Sequence, residues 1–151
     1  MPKERPILMS APMVKAILEG RKTQTRRVMA ENHVNTLPLL GAVDLATHCP
    51  YGQVGDRLWV RETWHQDTGL AGNAIHYRAD GVEHWEWRPS IFMPRWASRI
   101  LLEIVEVRVQ KVQEISPEDA VAEGAEFMPA ANLRKERLTV SQIVFAAFWD
   151  S

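Results

Sequence analysis

The chain holds a single cysteine, Cys49, among 151 residues. One thiol excludes an internal disulfide and every CxxC-type metal knuckle. Charge imbalance is equally scarce: 18 Lys and Arg against 19 Asp and Glu leave a net −1, which argues against the strongly basic surface of a bulk nucleic-acid binder. Any such binding has to be local. No apolar run approaches the ~18 residues of a membrane span. Met1 is followed by charged residues where a secretory signal has its apolar region, so a cytoplasmic location and no membrane partner are expected. The histidines stand singly, at His33, His48, His65, His76 and His84. Without ordered ligand spacing they predict no metal site, and no cofactor is expected. Repeats, low-complexity tracts and interdomain linkers are also missing, so residues 1–151 read as one domain.

What the chain does have is a concentration of cations near its start. Lys3, Arg5, Lys15, Arg21, Lys22, Arg26 and Arg27 stand against only Glu4 and Glu19 in the first 27 residues. Four of them fall in Gly20-Arg21-Lys22-Thr23-Gln24-Thr25-Arg26-Arg27, together with two threonine hydroxyls. Such a local field favours an anionic or nucleotide-like partner, and a hydroxyl beside an amine is a means of attacking one. A solvated basic turn is the plainer alternative. Tryptophan is the second concentration: Trp59, Trp64, Trp85, Trp87 and Trp96 lie within 38 residues of chain. Trp59 sits in a strand pattern and reads as core. Trp85, Trp87 and Trp96, set among Arg88, Arg95 and Arg99, read equally as core filler or as stacking platforms for bases.

Local patterns order the elements. Pro6–Met9 is long enough for a buried strand and too short for a helix. Ser10, Pro12 and Gly20 then punctuate a helix of about nine residues with Met13, Ala16 and Ile17 on one face. Lys22 and Thr25 would point to opposite faces of an extended strand, so chemistry shared between them needs a turn or bulge. Residues 28–54 read as a long loop with a short helical turn near Leu37 to Leu45. Leu58–Trp64 alternates as a strand running through the sheet, and Ala74–Arg78 as the next, with Asp80-Gly81 as its turn. Residues 82–99 read as a second long loop. From Ile100 to Val112 the apolar phase flips once, after Ile104, which predicts a bulge or bend of the kind that lets one strand serve two sides of a barrel. Ser116-Pro117-Glu118-Asp119 opens a capped helix that Gly124 ends, placing Glu123 in its last turn. Ser141–Trp149 reads as a final amphipathic helix with Val144, Phe145 and Phe148 inward. Together these predict an α+β, mainly β fold: a small β-barrel with about three short helices and two long loops.

Three of these stretches, Gly20–Arg27, Gly55–Glu62 and Ile115–Gly124, resemble in order the three signatures of the ASCH domain family, whose fold is a PUA-like barrel. The likeness covers about residues 5–125, and with the Met93–Arg99 stretch it is most similar to ASCH proteins of phages and prophages. In the family's small bacterial member that hydrolyses N(4)-acetylcytidine, the working residues are a lysine and a threonine of the first signature and a glutamate ending the later helix. The resemblance therefore implies catalytic roles for Lys22, Thr25 and Glu123. Two departures stand out: Arg26 replaces an apolar residue beside the threonine, and the loops at 28–54 and 65–99 are much longer.

Three readings stay open. As an amidohydrolase of a modified pyrimidine nucleoside, the protein would use Thr25 as nucleophile, Lys22 as proton acceptor and Glu123 as proton carrier. Lys22 must then be partly neutral near pH 7, and Arg21, Arg26 and Arg27 are expected to push its pKa that way. For Glu123, pairing with an arginine is expected to outweigh the helix terminus. As a binder of single-stranded RNA or a nucleotide, it would use the same cations with Trp-rich stacking. A ribonuclease is the third. The candidate binding set is Arg21, Thr23, Arg26, Arg27, Arg61, Trp64, Trp85, Trp87, Arg95, Trp96 and Arg99. Neither Lys22 nor Thr25 lies on an apolar face, so substitutions there are expected to spare the fold.

Overall fold

The computed structural model describes residues 1–28, 49–68, 73–83, 86–111, 114–124 and 139–148. These are mostly strand, with two α-helices, an α+β arrangement. Strands β1 (Glu4–Leu8), β2 (Gln24–Val28), β3 (Arg57–Arg61), β6 (Leu101–Lys111) and β7 (Thr139–Phe148) form one sheet in the order β1-β3-β6-β7-β2. The β1–β3 pair is parallel and the others antiparallel. A separate ribbon pairs β4 (Trp64–Gln66) with β5 (Ile75–Tyr77).

The sheet is open, where a closed barrel was expected: β1 and β2 are its two edges. Yet the edges approach each other, because Arg27 Nη2 on β2 donates to the Leu8 carbonyl on β1 at 2.9 Å. Pro6, with no N–H to give, fits an edge strand. Helix α1 (Ala11–Leu18) links β1 to the turn before β2 and buries Val14, Ala16 and Ile17. Met13, expected on that face, is exposed, and Val14 takes its place. The core is Ile7, Met9, Val14, Ile17, Cys49, Leu58, Val60, Ile100, Leu102 and Ile104. Each fully buried aliphatic there stabilises by about 1.5–3 kcal/mol.

The phase flip in β6 is a bulge: Ile104 pairs with Phe145, Glu106 with Val144, and Val105 between them is exposed. Ile100, Leu102 and Ile104 can then face the core without forcing the later valines outward. Two expectations fail. The stretch from Ser141 onward is strand β7, hydrogen-bonded to both β6 and β2. Val140, Ile143 and Val144 are β-branched and Phe145 and Phe148 aromatic, and a position between two strands suits such side chains better than a helix does. Trp149 lies outside the described residues. The strand predicted over 58–64 breaks at Glu62-Thr63, and Trp64 starts the ribbon instead. The strand expected over 74–78 is β5, with Gly81 turning after it at φ +76°, and within 82–99 the described residues hold two short 3-10 turns, Ser90–Phe92 and Arg95–Ala97. Of the loop expected over 28–54, residues 29–48 lie outside the described set. Its end is well packed: Cys49 is in the core, and Asp56 accepts from the Lys3 and Gln53 N–H groups at 2.9 and 3.1 Å. No helix among the described residues is long and apolar enough to cross a membrane.

Candidate active site

After α1 the chain turns sharply. Gly20 takes φ +71°, and the N–H groups of Arg21 and Lys22 both donate to the Ala16 carbonyl. This turns the Lys22 side chain inward, and only 3% of the residue is exposed. Lys22 therefore lies ahead of β2, off the strand alternation that would have separated it from Thr25. Its Nζ donates to two main-chain carbonyls, Gln24 O and Glu123 O, each at 2.8 Å. Two donors are the full complement of a neutral amine, so these bonds survive loss of the proton. The Lys22 pKa is pulled down to about 8, mainly by burial, with Arg27 adding to the fall and Glu123 opposing it. The expected direction holds, but desolvation and not the arginines is its first cause. Arg21 is exposed and turned to Glu19, Nε to Oε2 at 2.7 Å. Thr23 is exposed too, and its N–H ties β2 to the second helix through Ala122 O at 2.8 Å.

That helix, α2 (Pro117–Ala122), begins with the predicted capping box: Ser116 Oγ accepts from Asp119 N, and Asp119 reaches back to Ser116 N. It ends at Glu123, followed by Gly124 at φ +82°. A Cβ on Gly124 would sit 3.0 Å from Ala16 Cβ and 3.2 Å from Lys22 Cβ, so α1, Lys22 and the end of α2 meet here at backbone range. Lys22 thus also serves as a cation at the carbonyl end of α2.

Thr25, like Lys22, is buried, with 1% of the residue exposed. On β2, alternate side chains serve opposite sides. Gln24 and Arg26 turn to α2, where Gln24 Nε2 lies 3.2 Å from Asp119 Oδ1 and Arg26 Nη2 3.1 Å from Asp119 Oδ2. Arg26 Nε also lies 3.1 Å from Glu123 Oε1, as a charge contact without hydrogen-bond alignment. Thr25 and Arg27 turn the other way: Arg27 Nη1 donates to Thr25 Oγ1 at 3.0 Å while Nη2 spans to β1. Lys22 and Thr25 are not bonded to each other, but Nζ rests on the carbonyl of the residue just before Thr25. The Glu123 carboxyl has a raised pKa. Burial is the largest cause, outweighing the opposing pull of Arg26 and then of Lys22, and Asp119 adds to the rise. The expectation that pairing would win is therefore overturned, because the carboxylate gives up more hydration than one arginine shared with Asp119 returns.

The rest of the candidate set gathers elsewhere, around β3 and the ribbon. Arg61 lies over the Trp59 ring at 4.7 Å, and Trp64 is buried between Arg88, 5.2 Å over its ring, and the edge of Trp96 at 5.8 Å. Trp96 is 62% exposed, Trp87 half-buried, and Trp85 outside the described residues. Arg95 pairs with Glu4 at 2.8 Å. Arg99 forms a two-pronged pair with Glu62, at 2.9 and 3.1 Å, and bonds Asp80 at 3.0 Å while stacking on Tyr77. Glu62 is 1% exposed, and burial raises its pKa against the pull of Arg99. Reading the sequence missed Glu62, Asp80, Gln24 and Asp119. A buried glutamate between two strands leaves no local signal, whereas Asp119 was visible as a helix cap and its second role was not.

Among the described residues no group of three or more His, Cys, Asp or Glu is placed to hold a metal ion. Comparison of the chain with protein-family models, curated proteins and solved structures finds no match.

Proposed function

We propose that this protein is an ASCH-type, PUA-like hydrolase that removes an acyl group from the exocyclic amine of a modified pyrimidine nucleoside, with Lys22, Thr25 and Glu123 as its catalytic residues. The observation that carries the reading is the pairing of a lysine brought down to about 8 with a glutamate brought up, both by burial, at the meeting point of three elements. Shifts that bring an amine and a carboxyl toward neutrality at the same pH are what proton exchange requires.

In this reading Lys22 Nζ leaves the carbonyl of Gln24, the residue before Thr25, and the neutral amine accepts the Thr25 hydroxyl proton. Thr25 Oγ1 attacks the acyl carbonyl, and Arg27, already donating to that oxygen, steadies its developing charge. The C–N bond breaks as protonated Glu123 gives its proton to the leaving amine, which departs as the free nucleoside. Water then attacks the acyl-threonine ester, with Glu123 carboxylate taking its proton and Lys22 ammonium returning one to Thr25, so the carboxylic acid leaves and the site is restored.

The test is release of cytidine from a panel of N(4)-acylated cytidines, followed by chromatography. Lys22→Ala, Thr25→Ala and Glu123→Gln are each expected to lose at least ~100-fold in kcat/KM, with Glu123→Gln acting on turnover more than on binding. Wild-type kcat/KM is expected to pass through a maximum with pH, because the step needs neutral Lys22 and protonated Glu123 together. No cytidine release from any member of the panel, or full activity in any of the three variants, refutes the reading. A second reading, a binder of single-stranded RNA, is favoured by the exposure of Trp96 and Phe92 beside Arg95 and Arg88. It is supported if oligonucleotide affinity falls steeply with salt while no acyl substrate turns over.

A further inference from the structure

The Arg26 guanidinium faces two carboxylates of one short helix, one turn apart. Nη2 lies 3.1 Å from Asp119 Oδ2 and Nε 3.1 Å from Glu123 Oε1, and only 10% of the arginine side chain is exposed. Asp119 cannot drift away from this position, because three other ties fix it. Its carboxylate belongs to the Ser116 capping box, its Oδ1 receives Gln24 Nε2, and its main-chain carbonyl receives the same Gln24 amide. The side chains of both Gln24 and Arg26 thus reach Asp119. Glu123 is left with the less well aligned side of the guanidinium.

We infer that Asp119 is a positioning residue that holds one arm of Arg26, so that the arginine is shared with Glu123 and not surrendered to it, which keeps the Glu123 carboxyl able to carry a proton. A full, aligned Arg–carboxylate fork would favour the ionised form strongly. Asp119 blocks that fork geometrically and adds like charge of its own. The charged groups whose fields reach the Glu123 carboxyl are Arg26 and Arg27 from β2, Lys22 from the turn before it, and Asp119 from the preceding helical turn. Of these, only Asp119 opposes ionisation. Its relevance to catalysis rests on the hydrolase reading, but its effect on Glu123 does not.

The experiment is a carbon-detected carboxyl NMR titration of the full chain, comparing wild type with Asp119→Asn and with Glu118→Gln, which removes an exposed charge from the neighbouring position. The Glu123 midpoint is expected to move to lower pH in Asp119→Asn and to stay in place in Glu118→Gln. If the Asn variant fails to fold, Asp119→Gln keeps a capping-box acceptor at that position and is expected to move the midpoint the same way. A Glu123 midpoint that is unmoved or rises in the folded variant overturns the assignment. The readout needs no substrate, so it separates the two proposals. If acylcytidines are hydrolysed, Asp119→Asn is also expected to lower kcat at pH 7 with little change in KM. Hydrolysis with an unmoved Glu123 midpoint refutes the role of Asp119 alone.

Discussion

Replacing Lys22 by methionine tests whether the ammonium is held at an electrostatic cost. The lysine's pKa falls from 10.5 to about 8, a gap of about 2.5. At about 1.36 kcal/mol per unit this amounts to about 3 kcal/mol between the charged and neutral forms. Because the residue is only 3% exposed, solvent screening takes little from this figure. The sign follows from proton counting. Between pH 8 and 10.5 the unfolded chain keeps the lysine proton that the folded chain has given up, so folding stability rises with pH across that window. Lys22→Met also removes the donors to Gln24 O and Glu123 O, which costs about 1–3 kcal/mol per carbonyl left unpaired but does not vary with pH. The assay is urea denaturation of both proteins at matched pH values from 7 to 10.5. Subtracting one free energy from the other cancels the remaining titrations. The advantage of wild type over Lys22→Met is expected to grow by about 3 kcal/mol across the series. A difference that stays flat, or shrinks, refutes the account of a buried and partly discharged lysine.

Gly124→Ala is expected to cost more than about 1 kcal/mol, and clearly more than Gly20→Ala. Both glycines have positive φ, but only at 124 would a Cβ press on Ala16 and Lys22. Equal urea midpoints for the two variants would remove the close approach from the argument. Arg99→Met strands the buried Glu62 carboxylate and is expected to destabilise by about 3 kcal/mol. The double variant Glu62→Leu with Arg99→Met is expected to recover most of that loss, and a double variant no more stable than the single one counts against the pairing.

Much of the strand and helix punctuation was legible because it depends on neighbours in sequence. Ser116 and Asp119 announce a cap three residues apart, Gly20 and Gly124 stand where a chain must take positive φ, and the change of apolar phase around Val105 is a bulge written in one strand. Strand β7 was not legible, since Val140, Ile143, Val144 and Phe148 also satisfy helical spacing. Only the presence of β6 and β2 on either side decides between the two. The same limit applies to the site. Of the residues picked out, Lys22 Nζ rests on the Gln24 and Glu123 carbonyls, while Thr25 turns to the other side of β2 with Arg27. The burial of Lys22 and Glu123 depends on the packing of this turn against α2, about a hundred residues away, so the cause of the Lys22 shift and the direction of the Glu123 shift were read wrongly. Glu62 with Arg99 and Arg26 with Asp119 are partners across long stretches of chain, which no local pattern encodes.

The gap between β1 and β2 has a bearing on how copies of this chain meet. An open sheet normally offers two rows of unpaired backbone groups, each a template for strand addition and so for aggregation. Here the two rows face each other across the reach of one arginine side chain. Pro6 removes a donor from one row, and Arg27 occupies the Leu8 carbonyl of the same row. A second chain looking for a backbone to pair with on β1 finds that carbonyl taken and the Pro6 donor missing, so among the described residues this edge is guarded against strand addition.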